Sequence, residues 1–472
     1  MDNLIDAGDY GVVWLFSSSD WKKGIQSMKK CPCFFLICLF SLTFPLPSAE
    51  PEAGDQKEQL RMKIDLQDQE IGFLRRENEK LKQELRQFRL QEKVLVLEEK
   101  VSRLRGLPVK EKLRVKFMNK EGVRNYVLRE IRRQYPGDSL LLYQEALTRF
   151  GFLPQGLNLQ ESILSLYLEQ AAGFYDDLTK WFYIVEEFDL NDTVSDIILT
   201  HEICHALQDQ NYPLGTMNLY RLNNDDAVYA ILSVLEGDAT ILMSEWLKQN
   251  FKFSSVLELL STLGIDQSSF TNAPYFLQQL ILFPYLQGSF FMMDVMMNDR
   301  EGRDAAFRNP PQSTEQILHP EKYYLDIDLP TTVTLVSLSD VLGAGWEKKY
   351  ENTLGEMALK ILFEQYLTPE EGITAADAAA GWDGDRYALY KDRVGHSFIV
   401  WESVWDSSLD ADQAAKALAK VLLSVYPGMK QDKPEKGQWR LERAAEEPVF
   451  AFISLNKDKL SFHLTNDPGK GR

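Results

Sequence analysis

Two histidines four residues apart with a glutamate beside the first, in His201-Glu202-Ile203-Cys204-His205, are the residues of this chain best suited to chemistry. In a helix, positions i and i+4 share a face, so both imidazoles can converge on one cation while Glu202 reaches a water bound to it. Zinc hydrolases need this arrangement: neutral nitrogen ligands on a rigid element, an open coordination position and a base next to it. The alternative is a pair of surface histidines flanking a glutamate by accident. Two features weigh against it. The chain has 5 histidines in 472 residues, and Ile197, Ile198, Leu199, Ile203 and Leu207 place this helix in a core, where two imidazoles and a carboxylate need partners.

A zinc site on this motif needs a third protein ligand. The metzincin continuation is absent, because Gln208 and Asn211 stand where that pattern has glycine and a third histidine. Downstream, DDAVYAILSVLEGDATILMSEWL reads as a long apolar helix interrupted by Glu236-Gly237-Asp238, and Glu236 is the expected third ligand, with Asp238 as the alternative. HEICH on one helix, a glutamate on a second and an aromatic strand just before the first resemble the gluzincin type of zinc metallopeptidase, over about residues 170–245. The resemblance implies that His201, His205 and Glu236 bind Zn2+, that Glu202 is general base and proton shuttle, and that backbone groups of residues 181–187 pair with an extended peptide. Gluzincins carry an acidic residue four positions after the glutamate ligand, whereas this chain has Thr240 there, which leaves the carboxylate that should orient a histidine unassigned.

The expected activity is hydrolysis of peptide bonds by a metal-activated water, with Glu202 as base and a second donor for the oxyanion. His319, in the proline-bounded segment PPQSTEQILHPEKYY, is the first choice for that donor; Tyr323, in the same segment, and Tyr285 in FPYLQG are weaker ones. The alternative is a non-catalytic, zinc-containing scaffold or binding protein of the cell envelope, against which the intact Glu202 argues.

Several elements must position these residues. LRVKF reads as a strand, EGVRNYVLREIRRQY, SLLLYQEALTRF and ESILSLYLEQAAG as helices, and GFYD, DLTK and WFYIVEEF as a hairpin leading into the motif helix. This gives a mainly helical, zincin-like catalytic domain with a small sheet over residues 107–330. Residues 331–472 read as a separate α+β domain with antiparallel strands in RYALYK, SFIVWE, WRLER, VFAFISL and KLSFHL, a turn at WDGD and helices in EMALKILFEQYL and DADQAAKALAKVLLSVY. Its histidines, His396 and His463, read as packed or surface residues. The fold class is α+β.

N-terminal to these, residues 50–106 have the composition of a coiled coil. Leu60, Ile64, Ile71, Leu74, Leu81, Leu85 and Phe88 follow heptad spacing, Leu90, Val94, Leu97, Val101 and Leu104 resume it after a register shift, and Asn78 occupies a seam position. Self-association into a parallel homo-oligomer is expected, the alternative being a helix that folds back on its own domain. Residues 28–49 have the regions of a secretory signal peptide, with cleavage expected after Ala49 and residues 1–27 as an extension ahead of the true start at Met28; membrane association follows only if the segment is retained. Its removal takes Cys31, Cys33 and Cys38 and leaves Cys204, expected to be buried and inert. The net charge of -18 argues against nucleic acid as a partner, and a peptide or protein substrate in a secreted, periplasmic or cell-envelope setting is the remaining expectation.

Overall fold

A computed structural model describes residues 53–170, 172–186, 193–217, 223–250, 268–343, 345–368, 373–432, 437–444 and 447–471. The expected signal peptide, the extension before it and the three cysteines of that segment lie outside the described residues. The chain divides into two compact units, one ending at Glu79 and the other comprising Lys80–Arg472. Helix α1 (Ala53–Arg105) supplies all the described residues of the first unit and enters the second.

The second unit is an α+β fold built on two sheets. The smaller has the order β1-β3-β2, with β1 (Arg114–Met118) parallel and β2 (Gly173–Asp176) antiparallel to the central β3 (Trp181–Val185). Between β1 and β2 lie α2 (Lys120–Gln134), α3 (Ser139–Phe150) and α4 (Leu159–Gln170). The motif helix α5 (Thr193–Asn211) follows β3, and α6 (Asp225–Asn250) and α7 (Tyr275–Asn298) pack on each other beyond it. The two last helices are long and apolar enough to cross a membrane by length and composition, yet α6 lies mostly buried inside the protein.

The larger sheet is antiparallel throughout, in the order β4-β5-β6-β10-β9-β8-β7. Its strands are β4 (Glu347–Asn352), β5 (Trp382–Lys391), β6 (Ser397–Trp405), β7 (Lys430–Gln431), β8 (Gln438–Arg443), β9 (Val449–Asn456) and β10 (Lys459–Thr465). Helices α8 (Thr314–Leu318), α9 (Gly355–Tyr366) and α10 (Ser408–Val425) belong to the same unit, together with shorter helices, α9 and α10 packing on each other and α10 on the sheet.

The boundary expected near Pro330 does not separate two cores. Phe150 of α3 stands edge-on to Tyr387 and Trp401 of the large sheet, and one buried cluster runs from Val123 to Leu464. The turn expected at WDGD is instead the start of β5. Asp385 is buried there because it accepts hydrogen bonds from the backbone N–H groups of Leu354 and Gly355 and from the Trp382 indole, which satisfies a carboxylate that the sequence alone suggests should be in solvent. His463 packs between Phe398 and Phe452, and His396 pairs with Asp392.

The second heptad block packs on its own unit. Leu90, Val94, Leu97 and Val101 are buried with Val115, Phe182, Ile184 and the inner side of α5, and Gln87 and Gln91 donate to the carbonyls of Val115 and Leu113. Each of these side chains removed from water contributes roughly 1.5–3 kcal/mol, so this half of α1 is an integral layer over the small sheet.

Candidate metal centre and active site

Helix α5 places His201 and His205 on one face, while Leu199, Ile203, Cys204, Ala206 and Leu207 fill the core on the other sides. Helix α6 brings Glu236 to the same point. His201 Nε2 lies 3.1 Å from Glu236 Oε2, His205 Nε2 lies 3.1 Å from His201 Nε2, and His205 Nε2 lies 3.4 Å from Glu236 Oε2. A point just off the plane of these three atoms is about 2.1 Å from each, the length of zinc–nitrogen and zinc–oxygen bonds, and separations of about 3.3 Å are those of neighbouring ligands in a tetrahedron. The residues therefore fit a zinc ion, and the sequence-derived ligand triad of His201, His205 and Glu236 is brought together.

The electrostatics suit a cation. Burial disfavours the charged forms, yet the charges and hydrogen bonds of the two histidines hold Glu236 far below the usual carboxylate range. Against the same burial, Glu236 and, more weakly, Glu202 and Gln208 lift His205 to about 9. The carboxylates around His205 thus favour positive charge at this point.

The ring of His205 is fixed from behind. Gln208 Nε2 donates to Asp238 Oδ2 at 2.9 Å and to the Leu235 carbonyl at 3.1 Å. Those two acceptors oblige the amide nitrogen to face them, so the amide oxygen faces His205 Nδ1, 2.9 Å away. In the neutral ring the proton of His205 then belongs on Nδ1, which leaves the Nε2 lone pair facing His201 and Glu236. Asp238 is not a ligand. Two positions from Glu236 on a helix, it projects about 200° away, where Arg105 Nε donates to its Oδ2 at 2.8 Å and Arg303 lies 3.4 Å from its Oδ1. Gln208, three residues after the second histidine, is the sequence signal for this support. Cys204 is buried, as expected, and burial raises its thiol well above the ordinary range.

Glu202 is desolvated, and burial raises its pKa against the pull of the two histidines. The backbone N–H of Tyr175 in β2 donates to Glu202 Oε2 at 3.1 Å, while the Tyr175 hydroxyl donates to Asp209 at 2.8 Å. The short strand β2 is thereby held on the motif helix at two points one side chain apart.

This topology corrects the expectation that the strand of residues 181–187 pairs with an extended peptide. Strand β3 is central, with β1 on one edge and β2 on the other, so its backbone groups are already taken. The edge strand next to the motif helix is β2. Residues 187–192 lie outside the described residues.

Tyr285 lies in α7, Pro284 being accommodated inside that helix. Its ring stacks over His201, with centroids 5.8 Å apart and planes 19° from parallel, and the charge of nearby Glu236, with burial, holds its hydroxyl well above the ordinary range. Two glycines allow the approach. A Cβ on Gly237 would meet the Gly288 carbonyl at 2.3 Å, and one on Gly288 would meet the Ser233 carbonyl at 2.2 Å, so α6 and α7 touch backbone to backbone beside Glu236. His319 is not brought to this group by any bond: its Nε2 pairs with Glu356 Oε1 at 2.9 Å, at the end of α8. Tyr323 donates to the Asn309 carbonyl.

A family model described as "Domain of unknown function (DUF8575)" matches residues 342–458, which cover most of the large sheet and helices α9 and α10 but none of the site residues. No curated protein and no solved structure matches the chain.

Proposed function

We propose that this chain is a zinc-dependent peptidase whose metal is held by His201, His205 and Glu236. The observation that carries the reading is the convergence of three ligand atoms within 3.4 Å of one another, on two helices, with the carboxylate of Glu202 on the same helix as both histidines. Bound zinc would supply Lewis acidity, which lowers the pKa of water and polarises a carbonyl. Glu202 takes a proton from the attacking water and returns it to the leaving amine, a role for which a carboxylate raised by burial is suited. Tyr285, rather than His319, is the donor for the developing oxyanion, since it lies against His201 and Glu236 with a neutral hydroxyl. Gln208 holds His205 in the tautomer that ligates.

The test is the zinc content of the purified protein after equilibrium dialysis. One zinc per chain is expected for wild type and for Glu202→Gln, and none for Glu236→Ala. Absence of zinc from wild type, or undiminished zinc in Glu236→Ala, overturns the assignment.

A further inference from the structure

The first half of α1 carries an apolar stripe that is exposed among the described residues. Leu60, Ile64, Ile71, Leu74, Leu81, Leu85 and Phe88 are between 45% and 60% exposed, although the same helix buries Leu90, Val94, Leu97 and Val101 completely or nearly so. The two stripes are out of phase. Continuing the buried stripe backward in steps of three and four reaches Gln87, Gln83, Lys80 and Arg76, all polar. Continuing the exposed stripe forward reaches Glu92, two positions or about 200° from Leu90. The exposed stripe is therefore a second, separate apolar face.

Its spacing is an unbroken alternation of four and three. Ile64, Ile71, Asn78 and Leu85 occupy the a positions, and Leu60, Gln67, Leu74, Leu81 and Phe88 the d positions. β-Branched residues at a with leucine at d favour two parallel strands, and one asparagine at a fixes register and oligomer state. The flanking charges specify the partner. In a parallel, in-register pair each g residue faces the e residue five positions on in the other helix. Here those pairs are Lys63 with Asp68, Glu70 with Arg75, Glu77 with Lys82 and Glu84 with Arg89, and all four are of opposite sign. An antiparallel pair sets g against g and e against e, bringing glutamates mostly to glutamates and basic residues mostly to basic residues.

We infer that residues 60–89 form a two-stranded, parallel, in-register coiled coil with a second copy of this chain. The occupant of the apolar face is thus the same face of an identical helix, and the protein carries two copies of the proposed zinc site per assembly. The pairing of the helices is independent of whether that site is catalytic.

Sedimentation equilibrium of the purified chain at micromolar concentration tests this with two charge-reversed variants. Glu70→Lys/Glu77→Lys/Glu84→Lys reverses g, and Arg75→Glu/Lys82→Glu/Arg89→Glu reverses e. Wild type should sediment at twice the monomer mass, each variant alone at the monomer mass, and an equimolar mixture of the two again at twice that mass, because mixing restores every pair. A monomeric wild type overturns the inference without reference to any variant. A variant that stays dimeric alone, or a mixture that stays monomeric, overturns it as well.

Discussion

Replacing Gln208 with methionine removes the acceptor that holds the His205 ring and a donor to Asp238, in a side chain of similar length. The side chain sits beneath the proposed zinc ligands, fully buried, with contacts of 2.9 Å to His205 and 2.9 Å to Asp238. Hydrogen-bond partners of a ligating histidine are typically worth a factor of 10–100 in metal affinity, which is about 1.4–2.7 kcal/mol. The loss arises because either tautomer of His205 becomes accessible and the ring can turn away from Glu236. Gln208→Glu separates this from a packing effect: its carboxylate still accepts from His205 Nδ1, although it lies against Asp238 and lowers stability. Zinc affinity measured by competition with a fluorescent chelator at neutral pH, alongside thermal melts, should rank wild type, then Gln208→Glu, then Gln208→Met. Zinc bound by Gln208→Met as tightly as by wild type refutes the reasoning, and so does a Gln208→Glu variant that binds no better than Gln208→Met.

Tyr285→Phe should retain zinc but lose about 10²–10³ in kcat, the size of one oxyanion donor, as read by single-turnover kinetics; an unchanged kcat removes Tyr285 from the reaction. Gly288→Ala places a methyl group 2.2 Å from the Ser233 carbonyl; overpacking of this kind costs about 1–3 kcal/mol, so its melting temperature and zinc affinity should both fall, and wild-type values would show that α6 and α7 have room. Burial lifts Asp226 to about 8, against the hydrogen bonds it accepts from Thr314. The folded state then keeps a proton that the unfolded chain releases near pH 4, so this residue's contribution is present below that pH and is lost at about 1.4 kcal/mol per pH unit as pH rises toward 8. Asp226→Asn keeps an acceptor and cannot ionise, so its stability relative to wild type should increase across that window; a difference independent of pH contradicts the assignment.

The local parts of this site were legible in the sequence, and the non-local parts were not. Four-residue spacing on a helix brings His201 and His205 together whatever the tertiary fold, and a glutamate interrupting an apolar helix has few reasons to be there other than a cation. Asp238 could not be excluded in the same way, because its reason for burial, Arg105, is 133 residues away. Tyr285 was obscured by Pro284, which usually marks a break but here sits inside α7. The central position of β3 depends on its pairing with β1, across the three intervening helices α2, α3 and α4, which no local pattern reports. The heptads of α1 illustrate both cases. The shift of register near Phe88 was visible in the spacing, but only the packing of Leu90 and Val94 on the small sheet shows what it separates.

The central claim is that Glu202 and the metal centre hydrolyse peptide bonds, and unbiased peptide-library cleavage by the zinc-loaded wild type beside Glu202→Gln tests it most directly. Wild type should cut peptides, and Glu202→Gln, with its zinc retained, should cut the same bonds about 10²–10⁴ times more slowly, the usual contribution of a general base. Equal cleavage by the two proteins, or a zinc-loaded wild type that cuts no peptide, would contradict the account.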